Sequence, residues 1–172
     1  FWGDDDGKKY HEAYFTRFKN IWHHGDFVER TSNNGFIVRG RSDATLNPGG
    51  VRIGTSEIYQ QVENIDFINE GLVIGQDYTD DIRIILFVTT KNNEELDDKK
   101  IKLIQNKIRS NCSPKHVPPI ILKVPEIPRT KSGKIVELAV QKLINGEELN
   151  NKEAIANPES LDFFKNLPQL KV

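Results

Sequence analysis

The sequence predicts an α+β (α/β-like) fold: a short mixed sheet flanked by helices, with a β-hairpin ahead of it. Three observations lead there. GLVIGQD from residue 71 and IRIILFVTT from residue 82 are compact apolar runs rich in β-branched residues, the signature of strands. Segments 55–64 and 97–111 carry apolar residues at helical spacing. Asn34-Gly35 lies between two short apolar segments, a strong hairpin signal because both residue types tolerate positive φ.

The elements follow in order. Residues 1 to 40 open on the acidic, Gly-bearing FWGDDDGKKY and continue through Tyr14, Phe15, Phe18 and Trp22 to the hairpin FVERTSNNGFIVR. GRSDATLNPGG, residues 40 to 50, is rich in turn formers and poor in core residues, as a boundary between folding units would be. TSEIYQQVEN starts with Thr55 as a cap and places Ile58 and Val62 on one helix face. Two strands then flank Asp80-Asp81. Asp97 caps a helix whose Ile101, Ile104 and Ile108 share a face, with Pro114 beyond its end. IILKV at 120 to 124 is a short strand. Val136, Ala139, Val140 and Leu143 form a further helix face that Gly146 closes. In ANPESLDFF, Asn157 is the expected cap and Pro158 the first helical residue.

Composition excludes several classes. The 24 basic and 25 acidic residues of this 172-residue chain nearly cancel, so no strongly basic nucleic-acid face is implied. One cysteine, Cys112, provides neither a disulfide framework nor a Cys-rich zinc site and fits a reducing, cytoplasmic setting. No apolar run approaches the ~20 residues of a membrane span, and no signal peptide is visible. His23 and His24 are adjacent and point apart, so no metal site is expected. The chain begins at Phe1 and has no Met, which suggests a C-terminal piece of something larger.

Three segments could carry chemistry. In PRTKSGK, Lys134 follows a Gly on a Pro-bounded loop, where an ammonium could neutralise charge on a carboxylate or phosphate oxygen. The pattern GxxxxGK[ST] is absent, so this is not a P-loop, and the same residues also read as a solvated surface turn. In HGD, the Asp26 carboxylate could accept two hydroxyls such as those of a ribose, or cap its own turn. In GRSDATLNPGGVRIGT, Arg41 and Arg52 bracket the Gly49-Gly50 turn and could grip phosphate. Asp43 between them is either an ion-pair partner or a hinge.

WHHGDF, GRSDATLNPGGVRIGTSEIY and PRTKSGK, in that order and spacing, resemble the C-terminal signature of the adenylate-forming enzymes, which include acyl-CoA synthetases, luciferases and peptide-synthetase adenylation domains. SPKHVP at 113 to 118 and the late ANPESLDFF resemble the acetoacetate-activating acyl-CoA synthetases, close to those for acetate and propionate. Those relatives usually carry GRxDDxxxxxGHR; here Ala44 replaces the second Asp and Val51 the His.

The resemblance implies a whole enzyme that joins a carboxylic acid to CoA with MgATP, through an acyl-adenylate. It implies nucleotide binding by Asp26 and Arg41, a hinge at Asp43, a CoA-tunnel loop at Gly49, Gly50 and Arg52, and a catalytic Lys134. It further implies that residues 1–42 end a large N-terminal domain, 43–150 form a C-terminal lid and 151–172 a helical extension. The partners implied are ATP or AMP, CoA, acetoacetate and the missing N-terminal domain, with no nucleic acid and no membrane. ATP, Mg2+ and CoA would act in the full-length enzyme, and this piece alone would hold none of them tightly.

Overall fold

A computed structural model describes residues 1–149 and 152–171, in two units, Phe1–Asp43 and Ala44–Val172. The expected boundary between 150 and 151 lies outside the described residues.

In the first unit a helix the sequence reading had not anticipated, α1 (Lys8–Tyr14), precedes the hairpin. It buries no residue. Asp4 starts it by accepting the Lys9 N–H at 2.7 Å and the Tyr10 N–H at 2.9 Å. Aromatic contacts then hold it, with Tyr14 at 6.0 Å from the Phe1 ring and 5.4 Å from Trp22. The antiparallel strands β1 (Asp26–Arg30) and β2 (Phe36–Arg41) pair Arg30 with Phe36 at the turn and Asp26 with Arg41 at the open end. The turn differs in detail from the expectation. Asn34 takes positive φ, 60°. Gly35 does not; a Cβ there would lie close, 3.1 Å, to Thr31 Oγ1, which accepts the Gly35 N–H at 2.9 Å.

The second unit is three layers. The central sheet has order β3-β4-β5, formed by Ile68–Tyr78, Asp81–Thr90 and Ile120–Lys123. β3 and β4 are antiparallel, whereas β4 and β5 are parallel. Both faces of the sheet are covered, which is why its strands read as unbroken apolar runs rather than alternating ones. Period-two alternation still sorts the side chains. Val73, Ile84, Leu86 and Val88 pack against α2 (Thr55–Val62) and α3 (Asp98–Asn111), meeting Ile58, Val62, Ile104 and Ile108. Leu72, Ile74, Ile85 and Phe87 face the other way, toward Val140 of α4 (Glu137–Ile144) and toward Ile155, Leu161, Phe164 and Leu170 of the tail.

Caps and the tail carry the corrections. Asp97 caps α3 as expected, accepting the Lys100 N–H at 2.8 Å. Thr55 does not cap α2. It is the first helical residue and is buried, while Gly54 stands at the cap and donates its N–H to Glu57 at 3.4 Å. The expected helix after Pro158 is a 3-10 helix, Pro158–Phe164, and Asn157 makes no side-chain cap to it. Its side chain is used elsewhere, as described below. Among the described residues no helix is long and apolar enough to cross a membrane.

Candidate functional site

Within the first unit, the open end of the hairpin gathers Asp26, Arg41 and Asp43. Strand pairing places Asp26 opposite Arg41, and Gly25, at φ 92°, turns the chain into β1. Ser42 closes the base by donating its N–H and its hydroxyl to the Gly25 carbonyl, at 2.8 and 3.1 Å. The Arg41 guanidinium forks onto Asp43, Nε to Oδ1 at 3.1 Å and Nη2 to Oδ2 at 2.9 Å. Its Nη1 lies 3.9 Å from Asp26 Oδ1. His24 Nδ1 meets the other Asp26 oxygen at 2.6 Å.

The fork with Arg41 holds the Asp43 carboxyl below its ordinary range, and partial burial opposes the shift. The same bond pushes Arg41 further up. A cleft of about 440 Å³ opens here, walled by Tyr14, Trp22, His24 and Arg41 among others. Aromatic walls beside a carboxylate and a guanidinium suit a nucleoside phosphate chemically.

Gly25 admits no side chain easily. A Cβ would sit 3.0 Å from Arg41 Nη2 in a backbone conformation that L residues rarely adopt. Gly25→Ala is therefore expected to cost about 1–3 kcal/mol in local strain and to dislodge Arg41. The check is nucleotide affinity of the full-length protein by calorimetry. An unchanged affinity would detach this corner from nucleotide binding.

In the second unit, Gly49 and Gly50 form a tight turn with φ of 57° and 75°. Paired backbone bonds between Leu46 and Ile53, at 3.0 and 2.8 Å, close the loop beneath it, and both side chains are buried. The Gly49 N–H points at the Asp81 carboxylate, at 2.8 and 2.9 Å to its two oxygens. That bond, with a second from the Ile82 N–H, holds the Asp81 carboxyl below its usual range. Gly50 has open space around it, and Arg52 is exposed on the same loop. Ala44, where relatives of the resemblance carry Asp, is buried at 8% exposure, so a carboxylate there would have to lose water.

Lys134 lies on a small hairpin of the same unit. Arg129 pairs with Ile135 across it. The Thr130 N–H donates to the Lys134 carbonyl at 2.8 Å, and the Gly133 N–H to the Thr130 carbonyl at 2.8 Å. Gly133 takes φ 82° at the tip. Lys134 is exposed, and among the described residues its ammonium has no ion-pair or hydrogen-bond partner. It is thus free to meet an anion.

Sequence reasoning missed what holds this hairpin. Arg129 Nη1 donates to the Gly133 carbonyl at 2.6 Å while its Nη2 pairs with Glu70 of β3 at 2.9 Å. Beyond it, Tyr59 is partly buried, with its hydroxyl donating to Glu137 at the start of α4 and accepting the Val73 N–H at 3.0 Å. Burial first, and the Glu137 charge second, push that phenol well above its usual range. The Asn157-Pro158 pair was the one available signal, and it read as a helix cap. Among the described residues no three His, Cys, Asp or Glu side chains gather to hold a metal ion.

No family model matches the chain. Over 171 residues it is 58% identical to acetoacetyl-coenzyme A synthetase of Rhizobium meliloti strain 1021, covering 99% of this chain and 26% of that protein. It is 44% identical over 173 residues to acetoacetyl-CoA synthetase of Danio rerio, with the same two coverages. The solved acetoacetyl-CoA synthetase from Streptomyces lividans superimposes with a TM-score of 0.89 at 40% identity, over 98% of this chain and 26% of that one. The chain thus spans about a quarter of the length of these relatives.

Proposed function

We propose, on the premise that this chain is homologous over its whole length to a quarter of the acetoacetyl-CoA synthetases, that it is the C-terminal part of an ATP-dependent acid–thiol ligase. The whole enzyme would convert acetoacetate, ATP and CoA to acetoacetyl-CoA, AMP and pyrophosphate. A carboxylate oxygen attacks the α-phosphorus and the bond to pyrophosphate breaks, giving an acyl-adenylate. The CoA thiolate then attacks the acyl carbon and AMP leaves.

Each residue has a task in this scheme. Two anions must meet in the first step, and the Lys134 ammonium between them lowers the Coulomb penalty and aligns attack. Its exposure on a braced hairpin, with no partner for its ammonium among the described residues, is the observation that carries the reading. Asp26 accepts the ribose hydroxyls and Arg41 lies against the ribose or phosphate side of the nucleotide. A pantetheine arm needs a narrow, apolar-tolerant path, which the Gly49-Gly50 turn with Arg52 would line. Rotation about Asp43 would exchange Lys134 for that loop between the half-reactions. Its fork with Arg41 is the bond such a rotation must keep or remake. Mg2+ would enter with the nucleotide. The cytoplasm is the compartment this chemistry suits.

The test is acid-dependent ATP–pyrophosphate exchange by the full-length protein with acetoacetate, acetate and propionate. Exchange is expected to be strongest with acetoacetate. A preference for acetate or propionate would change the substrate and leave the mechanism standing, whereas no exchange with any acid would overturn the ligase reading. The 172-residue chain alone is expected to turn nothing over, since the acyl pocket would belong to the rest of the protein.

A further inference from the structure

The tail segment from Lys152 onward does more than fill a core face. Lys131 donates its N–H to the Ala154 carbonyl at 3.2 Å, and Ala156 donates to the Arg129 carbonyl at 2.8 Å. Thr130 and Ile155 form a bridge between these bonds. Residues 154 to 156 therefore lie along residues 129 to 131, joined by an isolated antiparallel bridge.

Asn157 ends that pairing with three bonds from one side chain. Its Oδ1 accepts the Arg129 N–H at 2.8 Å. Its Nδ2 donates to Glu126 Oε1 at 2.7 Å and to the Ile127 carbonyl at 3.1 Å. The whole entry to the Lys134 hairpin, Glu126 to Arg129, is bracketed by this amide. Arg129 passes the constraint on, since its guanidinium joins the Gly133 carbonyl to Glu70 of β3. Gly133 has nothing within 4 Å of where a Cβ would be. Packing does not fix the tip, so polar contacts must.

We propose that Asn157 is a positioning residue for Lys134, fixing the hairpin through Arg129 so that the ammonium is presented in one place. This rests on the assignment of Lys134 to adenylation made above. A displacement of about 1 Å in such a group costs up to about 100-fold in rate without weakening ground-state binding.

The experiment uses the full-length protein and two readouts, acid-dependent ATP–pyrophosphate exchange and thioester formation from a supplied acyl-adenylate and CoA. Asn157→Ala is expected to lower kcat for exchange about 10- to 100-fold while the KM for ATP and the thioester step stay within about twofold. Asn157→Asp keeps the acceptor for Arg129 but sets a carboxylate against Glu126, and exchange should fall less. Adding Glu126→Gln restores the pair at position 126 with its polarity reversed, though not the bond to the Ile127 carbonyl, and exchange should rise above that of Asn157→Asp alone.

Equal loss of both steps, or no loss in either, overturns the proposal. If Asn157→Ala does not fold, the pair Asn157→Asp and Asn157→Asp/Glu126→Gln decides: higher exchange in the double variant supports the proposal and equal or lower exchange overturns it. Lys134→Ala separates the two ideas. Exchange surviving Lys134→Ala removes both the lysine's role and this one. Exchange lost in Lys134→Ala but intact in Asn157→Ala removes this one alone.

Discussion

Lys134→Ala is expected to lower acid-dependent ATP–pyrophosphate exchange by the full-length protein about 10²–10³-fold, the range for losing a single preorganised electrostatic stabiliser. The physical reason is specific to the first half-reaction. A carboxylate must approach an α-phosphate that is also negative, and the cation's attraction grows as charge concentrates on the bridging oxygens. The substitution should leave KM for ATP little changed, because Asp26 and Arg41 would hold the nucleotide. Thioester formation from a supplied acyl-adenylate should also persist. Folding should be unaffected, since the Lys134 side chain is exposed and bonds to no described group. Lys134→Arg keeps the charge but replaces a point cation with a planar fork, and should restore exchange only in part. Full exchange in the Ala variant would return the SGK segment to the status of a solvated turn.

Phe164→Ala should produce the largest loss of stability, about 3–5 kcal/mol. Phe164 is 2% exposed and Phe87 fully buried. Their rings meet edge to face, 4.8 Å apart at 74°. Truncation removes that contact and leaves a cavity in the core that Leu72, Ile85, Val124 and Leu161 share with Phe164. Urea unfolding of the 172-residue chain, followed by circular dichroism, measures it. Phe163→Ala is the matched control: Phe163 is 39% exposed, and surface truncations of that kind stay within about 0.5 kcal/mol. Similar losses in both variants would mean that the tail does not pack as described. Because residues 154 to 157 also flank the Lys134 hairpin, a tail loosened by Phe164→Ala should slow adenylation as well.

Much of this fold was legible because it is written in local signals. Ile58 and Val62 on α2, and Ile104 and Ile108 on α3, recur at helical spacing and are all buried. Asp97 caps where its sequence position says it should. The β-branched runs are strands because their residues face two covered layers. The candidate site was legible in a different way. Asp26, Arg41, Asp43, Gly49, Gly50, Arg52 and Lys134 are named by motif order and by the chemistry of their side chains, and their roles remain those of the proposed ligase.

Other features were not legible, for equally physical reasons. The α1 helix has no buried face, so it leaves no apolar period to read. Asn157 has every local mark of a helix cap, yet its amide finds better partners across 28 to 31 residues of chain, at Arg129 and Glu126. At Gly35 the close neighbour is Thr31, and φ is not positive. Sequence by itself determined the strands and the helices that bury an apolar face, and it offered the side chains whose charge suits a nucleotide or an acid. Tertiary structure alone decided how those side chains are held, because hydrogen bonds between distant segments obey geometry and leave no period in the chain.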